Sequence, residues 1–423
     1  LNSGTQMRML LYGPARIRIL QNKELKGRLT HDENCNRKCS DHACVGGVRT
    51  GARNDISFFP PGLEWPVVAY TKAGDPATDM DTIRHPEYRG EPIVFNLVLL
   101  KSITHALNNN ITRLPQLVHE DGRIHPAFHQ AGQWEEKPGA AQEGADTQRF
   151  TSSGPNLQNI THHGDSERPY MAKWAGDLRK SFMAGVYDGV PWKLMTSDAG
   201  QEEPRVGAYV SGEALLLEEL SGKGDVYCPV ATQVYGREIT KRDPEERQIG
   251  KRNFMGWLNG AGHEGIRTAA YWLTPAEGQA VVDFLSNKYV NIESKRSSLV
   301  DNLYEFGYTE TLFGFRVYRP AIWAGAGSAR NHAERSVMPD LIQGTAAGVM
   351  KVWLWKVYEA IQARNISAHI LLTIHDEMVF EVHPDAVAEL ATLCQEMMDG
   401  IIPVFIPAEC NVGKNWTEME EVK

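Results

Sequence analysis

Two apolar runs, residues 370–374 and 378–382, flank the polar triplet His375-Asp-Glu377. Runs of this length around so short a polar segment predict a β-hairpin with a carboxylate at its tip. A second strand is predicted at residues 192–197, with Asp198 just past its end. A carboxylate at a strand end is held by a rigid sheet and faces the surface. Two of them on neighbouring strands can hold a pair of magnesium ions about 3.5–4 Å apart. Strand-end acids are also common as plain solvated groups, so Asp198 and Asp376 alone leave both readings open.

Residues 243–260 read as a helix opened by Asp243-Pro244 as N-cap and first-turn proline. Arg247, Lys251, Met255 and Asn259 recur every four residues, so the stripe drifts only about 40° per step. Two stacked cations on one face suit an extended polyanion such as a triphosphate. Gly250, Gly256, Gly260 and Gly262 leave the helix and its end bare enough for a base or another backbone to come close. A lone Arg-x-x-x-Lys is otherwise an exposed basic face. Upstream, Arg149 precedes Gly154-Pro-Asn-Leu-Gln-Asn-Ile160. Such a loop can reach nucleic-acid sugar and minor-groove acceptors, or be a turn capped by its own Asn side chains.

Lys plus Arg number 44 and Asp plus Glu 53, a net charge of −9. That balance argues mildly against nucleic acid, yet a cleft can be basic while the surface is acidic. Apolar residues make up 42% of the chain, which excludes wholesale disorder. No apolar run approaches the ~18 residues of a membrane span, so no membrane partner is expected. His31, Cys35, Cys39, His42 and Cys44 fall within fourteen residues. They are either a structural zinc site without the Cys-x-x-Cys pair of a standard finger, or a polar loop of reduced thiols.

The motifs share an order. Thr147-Gln-Arg149 through Ile160 is followed by Leu178-Arg-Lys-Ser-Phe-Met-Ala184 and Asp198-Ala-Gly-Gln-Glu-Glu203-Pro-Arg205. Then come Arg247-x-x-x-Lys251-x-x-x-Met255-Gly-x-x-Asn259-Gly260, Gly307-Tyr-Thr-Glu-Thr-Leu-Phe-Gly314 and Glu334-Arg335. Gln343-Gly-Thr-Ala-Ala347, Ile374-His-Asp-Glu377 and Gly413-x-x-Trp416 close the series. Together they resemble the polymerase portion of the family A DNA polymerases over roughly residues 64–418. Thr71–Thr78 and Arg123–Pro126 resemble thumb and pre-palm segments.

The resemblance implies a mixed α/β right hand: a palm of antiparallel sheet plus helices, with helical fingers and a helical thumb. It implies an N-terminal segment at 1–63, and thumb and pre-palm at 64–146 with an inserted loop near 133–146. Palm would occupy 147–212 and 336–423, and fingers 213–335. By residue, it implies that Asp198 and Asp376 hold two Mg²⁺ ions, with Glu377 and Lys251 also catalytic. Arg247, Lys251, Glu203, Gln201, Met255, Asn259 and Tyr227 would meet the nucleotide, with Glu203 as the gate against a ribose 2′-hydroxyl. Arg149, Asn156, Gln158, Asn159, Arg335, Gln343, His375 and Arg205 would line the DNA.

The implied activity is template-directed addition of dNTPs to a primer 3′-hydroxyl, releasing pyrophosphate. Primer-template DNA and dNTPs are the implied partners, with a processivity factor or helicase–primase as additions, in a bacterial or phage-infected cytoplasm. Residues 1–63 are too short for an exonuclease module. Met255 and Asn259 depart from the aromatic residues usual in the family's fingers helix, and Tyr227 stands where a His is common. Two alternatives remain at this point: a phage-type single-subunit RNA polymerase, and a catalytically impaired DNA-binding accessory protein.

Overall fold

The computed structural model describes residues 47–49, 56–58, 100, 103–104, 107–130, 147–160, 178–221, 225–270 and 272–422. The candidate zinc residues 31–44, the thumb-like segment 71–78 and the loop 133–146 lie outside the described residues. The chain divides into two compact units, Leu1–Thr104 and His105–Lys423. In the first, Gly47–Arg49 pairs antiparallel with Ile56–Phe58. Everything below concerns the second.

Its centre is a five-stranded antiparallel sheet of β1 (Lys193–Ala199), β2 (Ala368–Ile374), β3 (Glu377–Val382), β4 (Ala408–Gly413) and β5 (Met419–Glu421), in the order β2-β3-β1-β4-β5. The predicted hairpin is β2–β3, turning at His375-Asp376. The strand at 192–197 runs two residues further than its sequence suggests, so Asp198 lies inside β1 rather than past it. Side chains on a strand alternate between faces. Met195 joins Met378, Phe380, Val382 and Cys410 in the main core. Leu194 joins Ile374, Val379 and Trp416 on the opposite face. Asp198, four residues from Leu194, shares that second face.

The chain leaves β1 through Gly200. A Cβ there would lie 2.7 Å from both Glu409 Oε1 and Pro407 Cγ, so this bend needs glycine. Helix α1 (Glu202–Ser211) starts at once, with two acids in its first turn, where the helix dipole favours them. Next come α2 (Ala214–Ser221), α3 (Tyr227–Tyr235), α4 (Pro244–Leu258), α5 (His263–Ala269), α6 (Pro275–Lys288) and α7 (Val290–Phe306). They pack around Phe254, Trp257 and Tyr289, all at most 1% exposed. The 37-residue α8 (Ser328–Arg364) then returns the chain to the sheet, and α9 (Val387–Met398) covers its main-core face. Among the described residues no helix is long and apolar enough to cross a membrane.

Two details position the site. Glu381 on β3, 1% exposed, accepts hydrogen bonds from Tyr187 Oη (2.6 Å) and Arg123 (3.0 Å), tying the segment around Arg123 to the sheet. Helix α4 begins where predicted, at Pro244. The Asp243 carboxylate, however, turns back to Thr240 N (2.9 Å) instead of capping the helix amides. The glycine-bare surface of α4 serves a neighbouring backbone. A Cβ on Gly250 would meet the Tyr227 carbonyl at 2.3 Å and Ala231 Cβ at 2.9 Å. Alanine is the better helix former by about 1 kcal/mol. Gly250→Ala is nonetheless expected to destabilise the protein by about 1–3 kcal/mol through overpacking of α3 on α4. Urea denaturation checks this, and an unchanged midpoint would disprove the close packing.

Candidate active site

Register assembles the acids. On its two sides Asp198 faces Glu377 of β3 and Glu409 of β4. Cross-strand partners point to the same side of a sheet, so three carboxylates line up across β3-β1-β4. Asp376 joins them from the hairpin turn, where its carbonyl accepts the Ala199 amide at 2.9 Å. His375 takes the left-handed conformation, φ 53°, that lets the hairpin reverse in two residues.

Burial, followed by the charges of Asp376, Glu377 and Glu409, pushes the Asp198 carboxyl up to about 8, with Lys251 pulling the other way. Burial raises Asp376 as well, while Arg149 and His375 favour its charge. Two such neighbours resist ionising together unless a cation joins them. Burial also raises Glu377, against the pull of Arg179. Arg179 is fixed from behind: it stacks 4.1 Å over Trp416 and donates to the Ile160 carbonyl at 2.7 and 3.1 Å.

Opposite the acids stand the cations of α4. Arg247 Nε donates to Asp225 Oδ2 at 2.6 Å. Asp225 also accepts the amides of Tyr227 (2.9 Å) and Cys228 (3.0 Å). Burial opposes the Asp225 charge, but these bonds outweigh it and lower its pKa. The Tyr227 ring lies beneath both cations, 5.1 Å from the Arg247 guanidinium and 5.9 Å from Lys251 Nζ. Arg149 forms an ion pair with Glu203, joining the loop before Ile160 to the first turn of α1.

Three assignments need correction. Arg205 cannot line DNA, because it is 5% exposed and its nitrogens donate to the carbonyls of Gly200 (3.0 Å), Phe405 (3.0 Å) and Leu220 (2.8 Å). Tyr227, 3% exposed, is a floor under Arg247 and Lys251 and not a group presented to the cleft. Gln158, 8% exposed, spends its amide on the Thr373 carbonyl at 3.0 Å and so braces the loop against β2. Asn156 and Asn159 are exposed, although the Asn156 Oδ1 accepts from Ser152 Oγ and Gln158 N. Arg335 and His375 are exposed, and Gln343 and Gln201 half-buried. Met255 packs partly against the core. Asn259 is the C-cap of α4 rather than its last stripe residue, and its Oδ1 is buried without a hydrogen bond.

Glu202, Glu409, Asp225 and Arg179 were missed as site residues. Glu409 becomes visible only through the β1–β4 register. Glu202 has a signal in the doubled acid Glu202-Glu203, of which the resemblance singles out only Glu203. Among the described residues, no three His, Cys, Asp or Glu side chains converge as ligands of one ion. Zinc in structural sites takes four protein ligands, often sulfur. The donors here are hard carboxylate oxygens, few per ion, which fits Mg²⁺, a cation that keeps several waters.

Comparison with known proteins agrees with this geometry. The family model for DNA polymerase family A matches residues 57–418. DNA polymerase I, thermostable, of Thermus thermophilus is 30% identical over 333 residues, covering 78% of this chain and 37% of that protein. DNA polymerase I of Mycobacterium tuberculosis is 29% identical over 357 residues, covering 84% of this chain. The chain thus spans 37% of the length of these relatives. A solved structure, the POL domain of Pol1 from M. smegmatis in complex with DNA primer-template and dNTP, superposes with TM-score 0.70 at 29% identity. It is matched over 84% of this chain and 59% of that one. The order of motifs, the antiparallel sheet carrying the paired acids and the extent of these matches make this chain a member of DNA polymerase family A.

Proposed function

We propose that the chain is a template-directed DNA polymerase that adds dNTPs to a primer 3′-hydroxyl. The observation that carries this reading is the placement of Asp198 on β1 beside Asp376 at the β2–β3 turn, both half-buried, with Lys251 acting on Asp198 from α4. The sheet strands fall within the proposed palm, 147–212 and 336–423. Helices α3 to α7 fall within the proposed fingers, 213–335.

In this reading Asp198 and Asp376 would hold two Mg²⁺ ions. When bound, these make the primer hydroxyl a better nucleophile and neutralise charge on the phosphates. The 3′-oxygen attacks the α-phosphorus, the bond to the β-phosphate bridging oxygen breaks, and pyrophosphate leaves. Arg247 and Lys251 grip the triphosphate, with Arg247 exchanging Asp225 for phosphate oxygens. Glu203, held by Arg149, would act as the gate that excludes a ribose 2′-hydroxyl. Arg335, Gln343, His375, Asn156 and Asn159 contact the duplex. Rate enhancement comes mainly from positioning and fixed charge. Primer-template DNA and dNTPs are the partners, and bacterial or phage-infected cytoplasm is the setting.

Extension of a labelled primer-template with Mg²⁺ tests this. dNTPs should be used well ahead of rNTPs, and Asp198→Ala or Asp376→Ala should each cost more than about 100-fold in rate. Extension that persists in Asp376→Ala would refute the assignment. Glu203→Ala should bring rNTP use closer to dNTP use without abolishing extension.

The raised Asp198 carboxyl gives a pH test on the metal-free protein. Its folded value, about 8, lies above the unfolded value near 4, so the stabilisation it brings is complete below pH ~4 and fades as pH rises through about 8. With EDTA present, Tm should fall between pH 6 and 8.5, and Asp198→Asn should flatten that fall. Calorimetry across the range reads both. An equally steep fall in Asp198→Asn would place the titration elsewhere.

A further inference from the structure

Glu202 is an acid at this site for which the reaction above has no use. It opens α1, is 3% exposed, and its Oε1 is buried with no hydrogen-bond partner. The one guanidinium acting on it, that of Arg149, is committed to the adjoining Glu203. Asp376, Glu203 and Asp198 all lie within range of its charge. A buried oxygen left without a donor is costly, more so when charged.

Burial, followed by the charge of Asp376, raises the Glu202 carboxyl well above the usual range, and a donor brought in by something bound in the cleft would satisfy the Oε1. Among the described residues no three carboxylates converge on one ion. A hard cation gripped by so few protein oxygens retains waters, and their hydrogens point outward to nearby acceptors. Groups that orient metal-bound waters or ligands affect cation affinity strongly without touching the ion.

We propose that Glu202 is a positioning residue of the cation site, its Oε1 accepting a hydrogen bond from a water bound to the divalent ion. The proposal rests on the reading that Asp198 and Asp376 hold that ion. It explains why an acid is tolerated there: the loaded state supplies the donor that the empty one lacks.

Binding of Mn²⁺ is the test, titrated by the electron paramagnetic resonance signal of the free ion. The full chain would be used on primer-template DNA at pH 7.5, without nucleotide. Glu202→Met removes the acceptor and should weaken Mn²⁺ binding about 10-fold or more. Glu202→Gln keeps a carbonyl acceptor without the charge and should fall between Met and the parent. Metal-free DNA affinity should hold in both variants, and metal-free Tm should not fall. Asp376→Ala serves as control.

If Asp376→Ala weakens Mn²⁺ binding while Glu202→Met stays within twofold of the parent, this inference falls and the cation assignment stands. If Gln is as weak as Met, long-range charge acts instead of a hydrogen bond, and the inference also falls. If Asp376→Ala leaves Mn²⁺ binding unchanged, the cation assignment itself fails and takes the inference with it. A buried acid with only a packing role would change Tm and leave Mn²⁺ affinity alone.

Discussion

The register of β1 between β3 and β4 is the constraint on which the site depends. Met195, Ser197 and Ala199 face the main core and are fully buried. That alternation sends Leu194, Thr196 and Asp198 to the other face. A slip of one residue would drive Asp198 into the apolar core and put core residues on the cleft side. The apolar face therefore pins the carboxylate as firmly as any direct contact could. Ser197 takes part in this lock, accepting a hydrogen bond from the Cys410 thiol at 3.3 Å across to β4.

Gathering so many acids on one patch opposes folding, and the structure answers with cations that are already paired. Arg179 attends Glu377 from behind, anchored on Trp416 and the Ile160 carbonyl. Arg149 holds Glu203. Arg247 rests on Asp225. Lys251 faces Asp198 from α4 and forms none of these short ion pairs. The site is thus a set of charges held mostly by ion pairs between side chains. Arg205 differs because its donors go to backbone carbonyls, where nothing soluble competes. It joins the β1–α1 bend to α2 and to the segment before β4, holding in place the turn that carries Glu202 and Glu203.

Much of this was legible in the chain. The β2–β3 hairpin could be read because both strands are mostly apolar and His375-Asp376 forms the short turn between them, although the pairing also shifts register between Ile370 and Leu372. Helix α4 could be read from Asp243-Pro244, and it stops at Leu258 because the chain turns into the left-handed conformation at Gly260, φ 82°. Asp198 pairs with Glu377, next to Asp376, and Arg247 and Lys251 share α4 with the Tyr227 ring beneath both. Exposure was the weak point. Arg205, Gln158 and Tyr227 are polar residues within site motifs, and spacing along a chain does not reveal which polar group faces a neighbouring carbonyl and which faces the cleft.

The sequence by itself determined the elements and the chemistry they carry. Apolar periodicity, the proline start of α4 and the acids at the ends of strands are local properties, written over a few residues each. Only the tertiary structure decided which acids meet. Glu409 reaches Asp198 through a strand pairing more than two hundred residues apart in the chain. The Glu202 Oε1 is left without a partner while Arg149, arriving from another segment, pairs with Glu203. Pairing and burial are set by packing between distant segments, and no local pattern encodes them.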